Sequence, residues 1–548
     1  LMKGFKFFSA AILSIAAVAC SSPAKMAELA ENVTVKCNPA VLECIGGNID
    51  AVVSVTYPAD YFHPKAILEV TPVLVYQGGE AAMQPFVYQG EKVQDNYKVV
   101  PTAGTTVSEK VHFNYVPGME KSQLELRGVV KYKKGVKTVA LPSKKVADGL
   151  VTTYMLVEKD GLAPYKADNY QAIINQTAEG QIAYLINSAD VRSNQLTSAS
   201  IKNWQDAINE IKANERKAIV STDIVAYASP DGSEELNNKL SDKRSASAEK
   251  AFGKVTKKNP IDAPVNVKSI GEDWEGFKTL VENSDIEDKD LIIRVLSMYS
   301  DPAVREKEIK NMSSVYKTLA KDILPELRRA RFIANVEYTN FTPEELTSLI
   351  NDNIDVLDEE ALLHVATLVK DNNTKETAYN QAVSKFNSDR AQFNLAALAL
   401  NNDNLAKAKA ALKKVASKDA DYQNLLGVVA LREGDLAEAA RCFAASGTDA
   451  AVQNSAVVDL LNGNYADAAK KLAGKQGANA ALASLMNGDL AAAEKALQCN
   501  CPKSNYLKAI VAARQGKSAE AKALLQEVAK DEELAKRIAN DVEFAQYK

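Results

Sequence analysis

The chain has 548 residues, with 66 Lys and Arg against 70 Asp and Glu and a net charge of −4 at pH 7. That length predicts several domains, each able to bury its own core, and the near-neutral balance excludes the broad basic field of a nucleic-acid binder. With three histidines and no G-x-S-x-G, H-E-x-x-H, P-loop or dinucleotide fingerprint, the sequence is expected to specify neither an enzyme nor a metal or cofactor site.

The chain opens with LMKGFKFFSAAILSIAAVAC. Lys3 and Lys6 precede an apolar run from Phe7 to Val18, too short for a permanent span and typical of a secretory signal. The end of this stretch, Ala17-Val18-Ala19-Cys20, resembles a bacterial lipobox. That resemblance implies a signal peptide over 1–19, acylation of Cys20, and a lipidated linker over 20–32. Several acyl chains together hold a protein durably on a bilayer. No aspartate or acidic cluster follows Cys20, so the expected address is the outer membrane, periplasmic face. In that oxidising compartment Cys37 and Cys44, seven residues apart, form a candidate disulfide. Cys442, Cys499 and Cys501 carry no readable pairing.

Residues 33–157 read as all-β. Asn48–Tyr57, Ile67–Tyr76, Val107–Tyr115 and Gln123–Tyr132 are rich in Val, Tyr, Leu and Thr, and several alternate. Gly46-Gly47, Gly78-Gly79, Pro117-Gly118 and Lys134-Gly135 punctuate them as turns. Short strands at this spacing predict an immunoglobulin-like sandwich.

Residues 178–340 alternate strand and helix, an α+β pattern. Strands are expected at Gly180–Ser188, Ala218–Ala228 and Arg331–Tyr338. Helices are expected at Ala199–Ala213, Leu236–Phe252 and Lys310–Leu324, with Asp290–Leu296 an apolar run. The stretch AYASPDGSEELNNKLSDKR, residues 226–244, is the most specific. Ser229-Pro230-Asp231-Gly232 is turn chemistry. On the helix that follows, Asn237, Leu240, Ser241 and Arg244 lie at i, i+3, i+4 and i+7 and share one face. An amide, a hydroxyl and a guanidinium beside a tight turn suit a pocket rim.

This stretch resembles the N-x-x-L-S-x-x-R core of OmpA-like peptidoglycan-binding domains. Its neighbours, a strand ending near Ser188, an amphipathic helix with Trp204 and Arg328-Arg329-Ala330-Arg331 before a strand, follow the family's order. The resemblance implies binding to the peptide stem of peptidoglycan: Arg244 pairs with the carboxylate of diaminopimelate and an aspartate holds its ammonium. Guanidinium and carboxylate are the right complements. The family's aspartate position is Ser229 here, with Asp231 the nearest acid, and the segment 271–312 exceeds the family's usual length.

Residues 342–548 read as helical throughout, with a repeated turn: Arg432-Glu433-Gly434-Asp435, Leu461-Asn462-Gly463-Asn464, Met486-Asn487-Gly488-Asp489 and Arg514-Gln515-Gly516-Lys517. Asn402-Asp403-Asn404 is a variant with Asp403 in the glycine slot. Over 390–530 these resemble tetratricopeptide repeats, best at 421–446, where Leu426, Gly427, Ala430, Gly434, Ala439 and Phe443 keep the family's spacing. The resemblance implies an α-solenoid with a protein-binding surface. The order of lipobox, β domain, OmpA-like domain and repeats is similar to lipoproteins of Bacteroidota. Together these imply an outer-membrane lipoprotein that links the membrane to peptidoglycan and binds envelope proteins through its repeats. The alternative is a scaffold subunit of a secretion, fimbrial or barrel-assembly complex whose wall binding is weak or lost.

Overall fold

The structure, a computed structural model, describes residues 23–132, 135–286 and 289–547. Cys20 and the signal stretch lie outside the described residues. The chain is multidomain, with a β-rich N-terminal region and an all-helical C-terminal region. The described residues form two compact units: those of 23–166 with those of 387–547, and those of 167–386.

In the first unit the strands run from Thr34–Asn38 to Lys144–Val151. Asn48–Tyr57 and Ile67–Tyr76 form over the expected residues. Along Asn48–Tyr57 burial alternates, turning Ile49, Ala51, Val53, Val55 and Tyr57 inward. Period-two side chains require that of a sheet with one face buried. Antiparallel partners Thr34–Asn38 and Thr105–Asn114 flank this strand. Ser122–Tyr132 sits between Ile67–Tyr76 and Lys144–Val151 and pairs antiparallel with Lys137–Ala140. Leu42, Val53, Leu68, Leu124 and Val130 meet in a common core.

Beyond residue 387 the same unit stacks helices in pairs: Asp389–Asn401 with Leu405–Leu412, Ala420–Glu433 with Leu436–Ser446, Asp449–Leu461 with Tyr465–Lys471, Ala478–Met486 with Leu490–Ala496, and Pro502–Arg514 with Ser518–Val528. The repeated turn reverses the chain inside each pair. Gly434 takes φ of 84°, and Asp403, in the glycine slot, takes 56°, the left-handed region that glycine enters freely and that Asn and Asp tolerate better than most other residues. In three of the five pairs the residue after the turn caps the second helix: Asp435, Asp489 and Asn404 accept from Glu438, Ala492 and Lys407 N–H groups. Alanines at the pair interfaces, among them Ala439, Ala468 and Ala493, are fully buried.

The second unit centres on a four-stranded sheet in the order Ile173–Ala183, Arg329–Thr339, Lys217–Ala228, Val265–Glu272. The last pair is parallel and the others antiparallel. Helices Ala199–Ala213 and Glu234–Thr256 cover one face, where Trp204, Phe252 and Phe332 pack ring on ring. Asp290–Leu296, an apolar run in sequence, belongs to the helix Lys289–Met298. The helix expected over Lys310–Leu324 divides: Pro302–Asn311 ends at Met312, and Ser313–Thr318 continues through a wider π-helical turn over Leu319–Ile323 into a 3-10 turn over Leu324–Leu327 that contains Pro325. These pieces, with Trp274–Glu282, form a small core of their own around Phe277, Ile292 and Leu319.

Helices Pro343–Asp352, Glu359–Leu368 and Asn372–Phe386, expected in the C-terminal array, belong to this second unit. Specific bonds explain why. Arg216 pairs with Glu345 at 2.8 Å. The Tyr170 hydroxyl donates to the Phe341 carbonyl, and its ring stacks on His364 at 4.6 Å.

Candidate functional site

Arg244 is the largest charged side chain of the second unit to be fully buried, at 0 % exposure. Its helix is capped by Ser233, whose hydroxyl accepts from Leu236 N–H. That start sets the phase which turns Asn237, Ser241 and Arg244 inward, all three buried, with Leu240 half-buried. The shared face read from sequence is therefore real, and it faces protein.

Each hydrogen-bonding nitrogen of Arg244 donates to a backbone carbonyl: Nε to Ser188 at 2.9 Å, Nη1 to Tyr227 at 2.9 Å and Nη2 to Leu185 at 3.1 Å. The guanidinium also lies 5.0 Å over the Tyr184 ring. Burial pulls the Arg244 pKa down to about 10, with Arg328 adding to the fall and Tyr184 and Asp231 opposing it. A cation removed from water needs such partners to remain charged. The Arg244 guanidinium thus knots the loop 185–188 to the end of the strand 217–228.

The turn acid is also engaged within the protein. Asp231 accepts from Arg328 Nη2 at 2.8 Å and from the Ser229 hydroxyl at 2.7 Å, while Arg328 Nε donates to Ser229 at 3.2 Å. Ser229 accordingly helps seat Asp231 against Arg328. That pair keeps some access to water, with side chains 12 % and 17 % exposed. Asn237 donates to Glu272 at 2.8 Å, and Ser241 shares a 2.6 Å hydrogen bond with Ser269 and accepts from Gly271 N–H. Burial raises the Glu272 pKa, against hydrogen bonds from Asn237 and Trp274. Of the six expected site residues, Ser229 and Asp231 join through Arg328. Asn237 and Ser241 instead lace the helix to the strand 265–272, and Arg244 serves the loop 185–188. Arg328 was not singled out as a ligand group in the sequence, although it stands in the Arg328-Arg329-Ala330-Arg331 run that marks the last strand.

The candidate disulfide does not form. Cys37 and Cys44 are free thiols, paired in register with Val53 and Ile49 on the same strand. Four residues of strand separate those partners by roughly 13 Å, beyond the reach of a disulfide. The Cys44 thiol instead donates to the Tyr154 hydroxyl at 3.7 Å, and burial raises its pKa. Cys499 and Cys501 are bonded to each other. Among the described residues no cluster of three His, Cys, Asp or Glu is placed to hold a metal.

A second site lies on the helix stack, where the sequence implied a protein-binding surface. The segment 157–166, between the β region and the second unit, runs extended across the first helices of four pairs. Asn479 accepts from Glu158 N–H at 2.8 Å and donates to the same residue's carbonyl at 2.8 Å. Asn454 does the same to Leu162 at 2.7 and 3.0 Å, and Asn394 to Lys166 at 2.7 and 3.0 Å. Asn424 adds a bond to the Leu162 carbonyl at 2.9 Å and accepts from Asn454 at 2.9 Å. Asn401 and Arg432 donate to the carbonyls of Ala163 and Asp160. The ladder grips residues i, i+4 and i+8 of the segment, which runs opposite to the order of the helix pairs. Ala163 is buried in the helical core, and Lys166 pairs with Asp419 while its ammonium lies 5.0 Å over Phe393.

No protein-family model matches the chain, and no curated protein matches it significantly.

Proposed function

We propose that the protein is a non-catalytic scaffold lipoprotein of the bacterial envelope. It is held to the outer membrane by acylated Cys20 and built on an immunoglobulin-like sandwich, an OmpA-like domain and tetratricopeptide-like repeats. In this reading the OmpA-like domain has exchanged wall binding for a structural role. One observation carries the exchange: the Arg244 guanidinium donates to the carbonyls of Leu185, Ser188 and Tyr227 and has no exposed surface. An arginine that must grip a ligand carboxylate needs free donors in a cleft. The order of modules read from sequence supports the placement in the envelope, and the helix pairs with their amide ladder support protein partners.

Co-sedimentation with purified sacculi tests the exchange. The full chain is expected to stay in the supernatant while an OmpA-like control pellets. Saturable pelleting, released by a diaminopimelate-containing stem peptide, would overturn it.

The membrane-to-wall tether is the second reading. Its support is the Asp231–Arg328 pair, 2.8 Å apart and partly open to water, an acid and a guanidinium that could part to take an ammonium and a carboxylate. Under it, Arg328→Ala abolishes pelleting whereas Arg244→Lys does not.

A further inference from the structure

The amide ladder holds a ligand that is part of the same chain. We propose that the ladder face is an exchangeable peptide-binding site, closed in cis by residues 158–166, and that a partner enters by displacing this strap with an extended segment of its own. The inference deepens the scaffold reading by naming the site and the kind of segment it takes.

Recognition in the ladder is almost wholly of backbone. Asn394, Asn454 and Asn479 each pair with the N–H and carbonyl of one strap residue. An amide side chain has both a donor and an acceptor and so can mirror a peptide unit. Contacts of this type accept any extended chain that brings a free N–H to every fourth residue. They hold the occupant without demanding its side chains, as strand addition does at sheet edges. Asn394, Asn424 and Asn454 are each 1 % exposed, so three amides rely on the strap for their hydrogen bonds. Buried amides without partners are costly, which favours replacement of one segment by another over an empty face.

Side chains also contribute: Glu158 pairs with Lys503 at 3.0 Å, and three further strap positions restrict residue type. Gly161 has φ of 69°, and a Cβ there would stand 3.0 Å from both Val428 methyls, so glycine is required on both counts. Ala163, 5 % exposed, leaves room only for a small residue. Lys166 meets Asp419 and Phe393. By contrast the Leu162 side chain, at the centre of the ladder, is 47 % exposed. The partner segment is therefore extended, with glycine, a small residue two positions later and a basic residue five positions later. The strap's own sequence, Gly161-Leu162-Ala163-Pro164-Tyr165-Lys166, is the segment known to fit.

A tethered segment competes at an effective concentration on the order of millimolar, so the closed site should resist a free peptide of the same sequence. The test uses the full chain and a fluorescent peptide of residues 156–168, read by anisotropy, with tryptic cleavage at Lys159 and Lys166 reporting strap release. Leu162→Pro deletes the N–H that Asn454 accepts while disturbing a side chain that is half in water. Gly161→Val is a second, independent way to eject the strap.

Either substitution in the protein is expected to expose the strap to trypsin and to tighten binding of the wild-type peptide at least tenfold. Adding Asn454→Ala should remove that gain. A peptide carrying Gly161→Val should not bind any form. If the strap is cut in a variant and the peptide binds it no more tightly than wild type, exchange is refuted. If neither substitution releases the strap, closure by the ladder is refuted. The peptide is defined, so failure here is distinct from failure to find envelope partners.

Discussion

Arg244→Ala removes three charge-assisted hydrogen bonds at once and leaves the carbonyls of Leu185, Ser188 and Tyr227 to find other partners. Charged hydrogen bonds contribute roughly 1.5–3 kcal/mol each. Their sum is offset by relief of the buried cation's desolvation, which is what lowers the Arg244 pKa. Removing one member of a buried, paired charge system typically costs about 3–5 kcal/mol, and water entering the space left behind favours the lower end. The chain carries two tryptophans, Trp204 and Trp274, and both lie in the second unit. Tryptophan emission in urea therefore follows that unit alone. With a slope near 3 kcal/mol per molar, the midpoint should fall by roughly 1–2 M. Arg244→Lys, which retains the charge but offers one compact ammonium for three divergent carbonyls, should fall by less. A midpoint within about 0.3 M of wild type, below ~1 kcal/mol on that slope, would refute a structural role for Arg244. It would return the residue to ligand binding.

Glycine to alanine inside an exposed helix usually stabilises by up to ~1 kcal/mol, yet Gly427→Ala should destabilise by about 1–3 kcal/mol. A Cβ there would stand 2.5 Å from the Phe443 ring, and a melting temperature at or above wild type would contradict that packing. Tyr61 and Tyr154 are both pushed up to about 12 by burial. Their neutral forms thus stabilise the first unit fully below pH 10, the unfolded value, and that contribution is lost as pH rises from 10 towards 12. The melting temperature should be lower at pH 11 than at pH 9, and absorbance at 295 nm should show a late-ionising tyrosine class. Cys37 and Cys44 should both alkylate in denaturant without reductant, and a peptide linking them by mass spectrometry would contradict the strand register.

Local patterns in the sequence carried much of the architecture. Asn48–Tyr57, Ile67–Tyr76 and Ala199–Ala213 form over the residues read from alternation and helical periodicity, because each buries one face and its period declares it. The repeated turn was legible down to Asp403 in the glycine slot, since a left-handed position constrains residue type. Val265–Glu272 escaped notice: it is an edge strand whose residues 265–270 are all exposed, so hydrophobic burial leaves no mark on its sequence. Grouping residues 343–386 with the C-terminal helices follows from composition. Their attachment to the second unit depends on Arg216–Glu345 and the Tyr170 contacts, which join residues more than a hundred positions apart.

The two candidate sites show what a motif can and cannot say. Spacing fixes which residues share a helix face, and Asn237, Ser241 and Arg244 do share one. It does not say what covers that face. Here the cover is the loop 185–188, whose carbonyls take the guanidinium's donors, and no property of 226–244 announces it. The ladder is the converse case. Asn394, Asn424, Asn454 and Asn479 recur at intervals of 30, 30 and 25 residues, in step with the repeated turn, at positions where a helix stack would otherwise place apolar side chains. A polar residue recurring on a face that should be buried requires a recurring polar partner. Residues 158–166, which lie between the β domain and the OmpA-like domain as read from sequence, supply that partner. The periodic asparagines were therefore a legible signal of a backbone ligand, and only its identity needed the fold.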